Sequence, residues 1–165
     1  MSKPFVAIPM GSDSDLDTMK ACIDAFGIGR EVNVLSVHRP PAATHAYVQD
    51  ADQRGCAVFI AAAGMAAHLS GTVAALTVKP VIGVPMEGGP LKGEDALLST
   101  AMMPGGISVA CVAIGKAGAK NAALLAAQIL ASSDNTLAQR LAADRKSNAA
   151  SVLAKNEAVH EQFRK

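Results

Sequence analysis

Short apolar runs alternate along the chain with segments in which apolar residues recur at helical spacing. The runs predict five β-strands, at about 5–10, 31–36, 57–62, 81–85 and 107–114. The segments between them predict helices at about 16–26, 42–54, 69–76, 94–102, 119–131 and 136–160. Glycine or proline stands near most of the boundaries, where the chain is expected to turn.

This alternation of strands and helices predicts an α/β fold in which a parallel sheet is covered by helices on both faces. We expect a single-domain, flavodoxin-like three-layer αβα sandwich with strand order 2-1-3-4-5 and a long C-terminal helix. Residues 1–165 are predicted to form one domain, with an α/β core to about residue 131 and a C-terminal helical extension at 132–165. Such sheets bind ligands where the strand order reverses, here at the carboxyl ends of strands 1 and 3.

The last two predicted helices differ in character. The helix at 119–131 is apolar on almost every side, which indicates burial in the domain or against another subunit. The helix at 136–160 is polar apart from a thin apolar stripe that contains Leu137, Leu141 and Leu153. We therefore expect the terminal helix to dock as an arm on a neighbouring subunit.

The composition restricts the core and the partners. Half of the residues are hydrophobic but only 3% are aromatic, so the core is expected to consist of small aliphatic side chains and Met. The formal net charge is +1 and no basic stripe is present, which argues against nucleic-acid binding. No apolar run approaches the roughly 20 residues of a membrane span. Three scattered cysteines and the lack of a signal-peptide pattern predict reduced thiols in a cytoplasmic protein.

Polar residues follow the first predicted strand, in Gly11-Ser12-Asp13-Ser14-Asp15. Hydroxyls and free backbone N–H groups at a helix start can bind phosphate, and the carboxylate can bind sugar hydroxyls. Serine and aspartate are also the commonest helix N-caps, so an ordinary cap explains the same pattern without a ligand.

His38 and Arg39 stand side by side after the second predicted strand. An arginine on such a loop is a natural partner for phosphate or carboxylate. A histidine beside it is suited to proton transfer. The alternative is a surface loop with two solvated side chains.

The third predicted strand leads into residues 61–71, where small residues surround a single histidine, His68. Glycine and alanine at the end of a strand leave room for a ligand to approach the backbone. The predicted strand order brings this stretch and the two polar loops to the same edge of the sheet. Their convergence favours one functional site over three separate caps and loops.

In that order, the three clusters resemble those of the PurE family of purine biosynthesis. Residues 11–15 are similar to the family's first loop, and Ser36-Val37-His38-Arg39-Pro40 is similar to its Ser-Ala-His-Arg-Thr-Pro segment. Ala66-Ala67-His68-Leu69 is similar to the start of its Ala-Ala-His-Leu-Pro-Gly segment. The resemblance covers about residues 4–130, and the combination of motifs is what makes it specific.

The resemblance implies an N5-carboxyaminoimidazole ribonucleotide mutase, an isomerase that moves a carboxylate from nitrogen to ring carbon in de novo purine (IMP) biosynthesis. It also implies a homo-octamer that acts on a small ribonucleotide and uses no metal and no organic cofactor. By the same resemblance, His38 transfers protons as acid and then base, His68 holds the carboxylate or CO2, and Asp15 binds the ribose. The predicted substrate-binding residues are Gly11, Ser12, Ser14, Asp15, Ser36, Arg39, Ala63, Gly64, Ala66 and Leu69.

Six positions depart from the family pattern near this site, namely Val37, Pro41, Ala62, Met65, Ser70 and Glu87. The family usually has glycine where this chain has Met65, proline where it has Ser70, and a neutral residue where it has Glu87. The long side chain of Met65 either points away into packing, where Met fills irregular gaps, or narrows the pocket.

Arg39 helps to distinguish between two reactions of the family, because the related animal-type carboxylases have Lys in the matching segment. The alternatives are an aminoimidazole ribonucleotide carboxylase that uses free CO2 and a divergent paralogue that acts on another anionic nucleotide. A non-catalytic nucleotide-binding domain on the same fold is a further alternative. The presence of both His38 and His68 favours an enzyme over a binding domain.

Overall fold

A computed structural model describes residues 4–23 and 27–164. Its five strands form one parallel sheet in the order β2-β1-β3-β4-β5, which confirms the predicted topology. The strands are β1 (Phe5–Met10), β2 (Arg30–Val34), β3 (Cys56–Gly64), β4 (Val81–Met86) and β5 (Ala110–Cys111). The helices are α1 (Leu16–Ile23), α2 (Pro41–Gln53), α3 (Leu69–Leu76), α4 (Glu94–Ala101), α5 (Gly115–Ala131) and α6 (Asn135–Phe163).

The register of the three strands β2, β1 and β3 brings their carboxyl ends level with one another. Met10 at the end of β1 is paired with Val34 of β2 and with Ala62 of β3. Two further backbone bonds continue the ladders, because Leu35 N–H donates to the Met10 carbonyl at 2.7 Å and Gly11 N–H donates to the Ala62 carbonyl at 2.8 Å. The loops that follow these strands therefore begin side by side at one edge of the sheet.

The core is built around β3 from small and aliphatic residues. The central residues of β3, at 58–62, are all buried, as is every residue of β4. Buried residues of β1, α2, β3, α3 and β4 form one apolar cluster: Ala7, Val48, Ala51, Cys56, Phe59, Ala61, Leu69, Val73 and Val81. Because successive strand residues face opposite sides, Val6 and Ile8 contribute to the other face of the sheet. A sheet buried on both faces explains why its inner strands are continuous apolar runs.

Several predicted boundaries were wrong. The fifth strand contains only Ala110 and Cys111, which pair with Ile82 and Gly83, instead of spanning 107–114. Helix α5 begins at Gly115 rather than at 119, because Gly115 adopts φ 68° and turns the chain directly into the helix. Residues 24–26 of the first predicted helix lie outside the described residues.

Contacts between residues divide the chain into two compact units, the first ending at Ala126 and the second beginning at Ala127. In the second unit the carboxylate of Asp134 caps α6 by accepting a hydrogen bond from Leu137 N–H at 3.0 Å. From residue 142 to residue 164 every residue is exposed, and these residues include Val152, Leu153 and Phe163. None of the helices in the described part of the chain is long and apolar enough to cross a membrane.

Candidate active site

A cavity of about 290 Å³ opens at the edge of the sheet where the loops after β1, β2, β3 and β4 meet. All twelve residues predicted as catalytic or substrate-binding line it: Gly11, Ser12, Ser14, Asp15, Ser36, His38, Arg39, Ala63, Gly64, Ala66, His68 and Leu69. They come from three segments that are distant in the sequence, each at the carboxyl end of a strand. The structure thus brings the predicted residues together, and their individual roles stay predictions.

Ser12 and Ser14 form a local hydroxyl pair on the first loop. Ser12 Oγ accepts a hydrogen bond from Ser14 N–H at 3.2 Å and another from Ser14 Oγ at 2.8 Å. Ser12 therefore caps the 3₁₀ turn at Asp13–Asp15, as expected if this loop is an ordinary helix cap. Both serines also line the cavity, so capping and ligand binding are compatible functions of the same residues.

Asp15 is the buried acid of the cavity, with only 9% of its surface exposed. Burial raises the pKa of its carboxyl above the ordinary value, and the neighbouring charge of Asp13 acts in the same direction. A backbone hydrogen bond from Ser12 opposes this effect without cancelling it. The site therefore holds a poorly solvated carboxylate that would gain from new hydrogen-bond donors such as sugar hydroxyls.

His38 and His68 are joined directly by a hydrogen bond. His38 Nε2 lies 2.8 Å from His68 Nδ1, and the two rings meet edge to face at 81° with their centroids 5.0 Å apart. One of the two nitrogens must donate and the other must accept, so the bonded pair carries at most one positive charge. Two imidazoles in this arrangement are placed to pass a proton between them and to a third group in the cavity.

Local hydrogen bonds to the backbone fix the position of each histidine in the chain. His38 belongs to a turn in which Arg39 N–H donates to the Ser36 carbonyl at 3.4 Å. His68 stands at the start of α3, and its carbonyl accepts hydrogen bonds from the N–H and the hydroxyl of Thr72, both at 3.0 Å. The His68 side chain makes no capping bond to α3, which leaves its ring free to reach His38.

The predicted site residues did not include a fourth loop of the cavity, although Glu87 of this loop was noted as a departure from the family pattern. Met86 ends β4 and is followed by Glu87, Gly88 and Gly89, and all four residues line the same space. The available signal was the strand order itself, since β4 neighbours β3 and Met86 pairs with Gly64. Leu35, Val37 and Met65 complete the lining.

Met65 adopts the left-handed backbone conformation, with φ 53°. Its side chain is 58% exposed and lines the cavity, so it does not fill a gap in the core. Sequence analysis considered two orientations for this side chain, packing in the interior or narrowing the pocket, and the structure shows it at the pocket.

No group of three or more His, Cys, Asp or Glu residues is placed to hold a metal ion in the parts of the chain described.

Comparison with known proteins agrees with this geometry. The profile of the AIR carboxylase family matches residues 5–151. A protein of Synechocystis named N5-carboxyaminoimidazole ribonucleotide mutase is 52% identical over 155 residues, covering 92% of this chain and 87% of that protein. A Bacillus subtilis protein of the same name is 50% identical over 154 residues, covering 92% of this chain and 95% of that protein.

The fold is also shared with a solved structure, that of Treponema denticola PurE. The two chains superpose with a TM-score of 0.83 at 28% identity, over 99% of this chain and 100% of that one. The resemblance to the PurE family, first suggested by three loops, is thereby confirmed over nearly the whole chain. The chain belongs to the AIR carboxylase family.

Proposed function

We propose that this protein is an N5-carboxyaminoimidazole ribonucleotide mutase, which converts its substrate to 4-carboxy-5-aminoimidazole ribonucleotide. The observation that carries the proposal is the His38–His68 pair, bonded at 2.8 Å, in a cavity with small residues on one side. The proteins of that name at about half identity support the same reaction. Because substrate and product are isomers, the carboxylate that leaves the nitrogen must be added to the ring carbon, and the protons gained and lost must balance.

The first step releases the carboxylate from nitrogen. The bond between nitrogen and the carbamate carbon breaks, its electron pair stays on nitrogen, and CO2 forms. His38, protonated at the outset, gives its proton to the departing amine. His68 accepts or donates the hydrogen bond that orients the His38 ring for this transfer.

The second step forms the new carbon–carbon bond. The electron-rich ring carbon attacks CO2, and the proton that this carbon carried is then lost to His38. The histidine ends the cycle protonated, as it began, so no net proton is consumed. A CO2 molecule has no charge to hold it, and a small enclosed space is what keeps it beside the ring carbon. Ala63, Gly64 and Ala66 have no long side chains and so leave room for CO2 on one side of the cavity.

The remaining cavity residues suit the anionic ends of the substrate. Arg39 and the hydroxyls of Ser12 and Ser14 offer donors for phosphate or carboxylate. The Asp15 carboxylate offers an acceptor for ribose hydroxyls. These assignments place the phosphate and sugar on the β1 and β2 loops and the reacting ring beside the histidines.

We further propose that the enzyme works in the cytoplasm as a homo-octamer. Free cysteines support the location, since Cys22, Cys56 and Cys111 form no disulfide. Apolar side chains outside the core support assembly: Leu124, Leu125, Ile129 and Leu130 are only half-buried, and Val152 and Phe163 are exposed. Light scattering of the purified protein measures its mass directly.

Conversion of N5-carboxyaminoimidazole ribonucleotide, followed by ultraviolet absorbance, tests the mutase reaction. We expect conversion by the native protein and a loss of roughly 10³-fold or more in kcat for His38→Asn, because one residue performs both proton transfers. His45→Asn is the matched control, since His45 is exposed on α2 and lies outside the cavity.

Two outcomes contradict the proposal. Native protein that binds the nucleotide without converting it would indicate a binding domain. Faster turnover of aminoimidazole ribonucleotide with bicarbonate would indicate a carboxylase that uses free CO2.

A further inference from the structure

The bond between His38 and His68 uses one particular nitrogen of each ring. His38 contributes Nε2 and His68 contributes Nδ1, and these two atoms are 2.8 Å apart. Each ring therefore has one further nitrogen, Nδ1 in His38 and Nε2 in His68. Neither of these has a hydrogen-bond partner in the described part of the chain, and both rings line the cavity. They are the imidazole atoms of the pair that are available to a substrate.

The direction of the bond follows from the charge that the reaction requires. In the proposed function His38 is protonated at the outset, and a protonated imidazole carries hydrogen on both nitrogens and can only donate. Nε2–H of His38 must then donate, and Nδ1 of His68 must accept with its lone pair. A neutral imidazole that accepts at Nδ1 has its hydrogen on Nε2. The same bond thus fixes the tautomer of His68.

His38 can lose and regain a proton without breaking this bond only at Nδ1. In the first step the Nδ1–H bond breaks, its electron pair stays on Nδ1, and the proton joins the departing amine. In the second step the C–H bond of the ring carbon breaks, and its proton returns to the lone pair on Nδ1. Nε2–H of His38 donates to His68 throughout, so His68 keeps its own hydrogen on Nε2 during the whole cycle.

We propose that His68 is a positioning residue that assigns proton transfer to Nδ1 of His38, and that the bond holds His68 as the tautomer that offers Nε2–H to the migrating carboxylate. The inference rests on the proposed mutase function and specifies which atoms of the pair perform it. The migrating group is an anionic carboxylate at the start and at the end of the reaction. A donor that stays protonated while its neighbour loses and regains a proton suits such a group.

NMR of the free protein labelled with ¹⁵N-histidine measures the tautomers directly. The chain has four histidines, and His45 and His160 are exposed and lie outside the pair, so replacing one histidine at a time with Asn assigns the signals. At about pH 9 ordinary imidazoles are neutral, and the pair is then in the state that follows the first proton transfer. We expect hydrogen on Nε2 and none on Nδ1 in both His38 and His68. Hydrogen on Nδ1 of His68 would overturn the assignment.

Two amide variants of His68 separate the bond from the outer donor. Asn places an amide oxygen near the position of Nδ1, whereas Gln places its amide near the position of Nε2. His68→Asn can still accept from His38, so its kcat should stay within about tenfold of the native value, while its KM should rise by about tenfold because the outer donor is lost. His68→Gln keeps an outer donor but loses the bond, so its kcat should fall by roughly 10²-fold with little change in KM.

His45→Gln is the matched control, because His45 is exposed on α2 and outside the cavity, and its kcat and KM should be unchanged. Circular dichroism checks that each variant is folded. If His68→Gln keeps a kcat equal to or above that of His68→Asn, the bond at Nδ1 does not position His38 and the inference is refuted. If the native protein converts no substrate, the mutase function itself fails, and the NMR measurement still tests the tautomers on its own.

Discussion

The cavity has two unlike walls. Its polar wall comes from the loops after β1 and β2 and contains Ser12, Ser14, Asp15, His38 and Arg39. Its small-residue wall comes from the ends of β3 and β4 and the loops that follow them, and it consists mainly of small residues at 63–66, 88 and 89, with Met86 and Glu87 beside them.

His68 connects the two walls. It follows the small-residue wall in the chain, and its ring bonds to His38 of the polar wall at 2.8 Å.

The two walls differ in what they contribute: the polar wall supplies the groups that react and bind, and the small-residue wall leaves room for the substrate. The polar wall has donors, acceptors and a histidine, and its backbone makes ordinary caps and turns. The small-residue wall has one charged side chain, Glu87, and it holds positive φ values at Met65 and Gly89. A reaction that releases and recaptures CO2 requires both, because proton transfer alone does not prevent the gas from escaping.

After His38→Asn, the largest expected effect comes from His68→Ala, which removes the connection between the walls. We expect kcat to fall by roughly 10²-fold, the usual result of removing one positioned hydrogen-bonding group from an active site. The fold should persist, because the His68 side chain makes no capping bond to α3. Steady-state kinetics and circular dichroism measure the two effects. His160→Ala on the exposed part of α6 is the control, and an unchanged kcat in His68→Ala would show that the histidine pair is only structural.

Asp15→Asn tests whether the buried carboxylate of Asp15 favours substrate binding while it lowers the stability of the folded protein. We expect KM to rise by about tenfold or more, since a hydrogen bond to a charged group is worth roughly 1.5–3 kcal/mol. The variant should nevertheless be more stable than the native protein at neutral pH. Burial raises the pKa of Asp15, so the folded protein holds this proton more tightly than the unfolded chain does.

The sign of the pH dependence follows from that difference. The contribution of Asp15 to the free energy of unfolding falls as pH rises from the ordinary value of 3.8 through the raised pKa of the folded protein. Above the raised pKa the penalty is complete, and below 3.8 it disappears. Urea unfolding of both proteins between about pH 4 and pH 8 should show a stability difference that grows with pH. A difference that is constant across this range would mean that burial of the charge is not its cause.

Ser70→Ala has the smallest expected effect and lies behind the small-residue wall, on α3. The Ser70 side chain is 3% exposed, and its hydroxyl finds no hydrogen-bond partner among the described residues. Removing the unpaired hydroxyl should raise the free energy of unfolding by about 1 kcal/mol and leave kcat unchanged. Thr72→Val is the comparison, because the Thr72 hydroxyl does donate, at 3.0 Å to the His68 carbonyl, and its loss should destabilise the protein. A fall in stability for Ser70→Ala would contradict this account.

Sequence reasoning succeeded best where the determinants are local. Apolar runs predicted β1, β4 and α3 with nearly the observed bounds, because those segments are short, strongly patterned and closed by glycine or proline. It failed at β5, where eight predicted residues became two. Strand length at the edge of a sheet depends on how far the neighbouring strand can pair, and β4 pairs with β5 only at Ile82 and Gly83.

The site, like the fold, was predicted well where local patterns determine it and poorly where strand pairing determines it. Each polar loop was visible in the sequence, and the strand order predicted that the loops would meet, since the carboxyl ends of parallel strands share one edge. The loop after β4 was not assigned to the predicted site, because Glu87, Gly88 and Gly89 form no recognisable binding motif and enter the cavity through the pairing of Gly64 with Met86.

By itself, the sequence determined the alternation of strands and helices, the strand order and the meeting of three loops, because these follow from local patterns and one topological rule. The twelve residues of the predicted site came from those loops together with the resemblance to the PurE family. Tertiary structure alone decided the 2.8 Å bond between His38 and His68 and the left-handed backbone of Met65 against Gly89. The physical reason is that a distance between two side chains depends on strand register and loop conformation together. The sign of φ at one residue likewise depends on what the surrounding loops require.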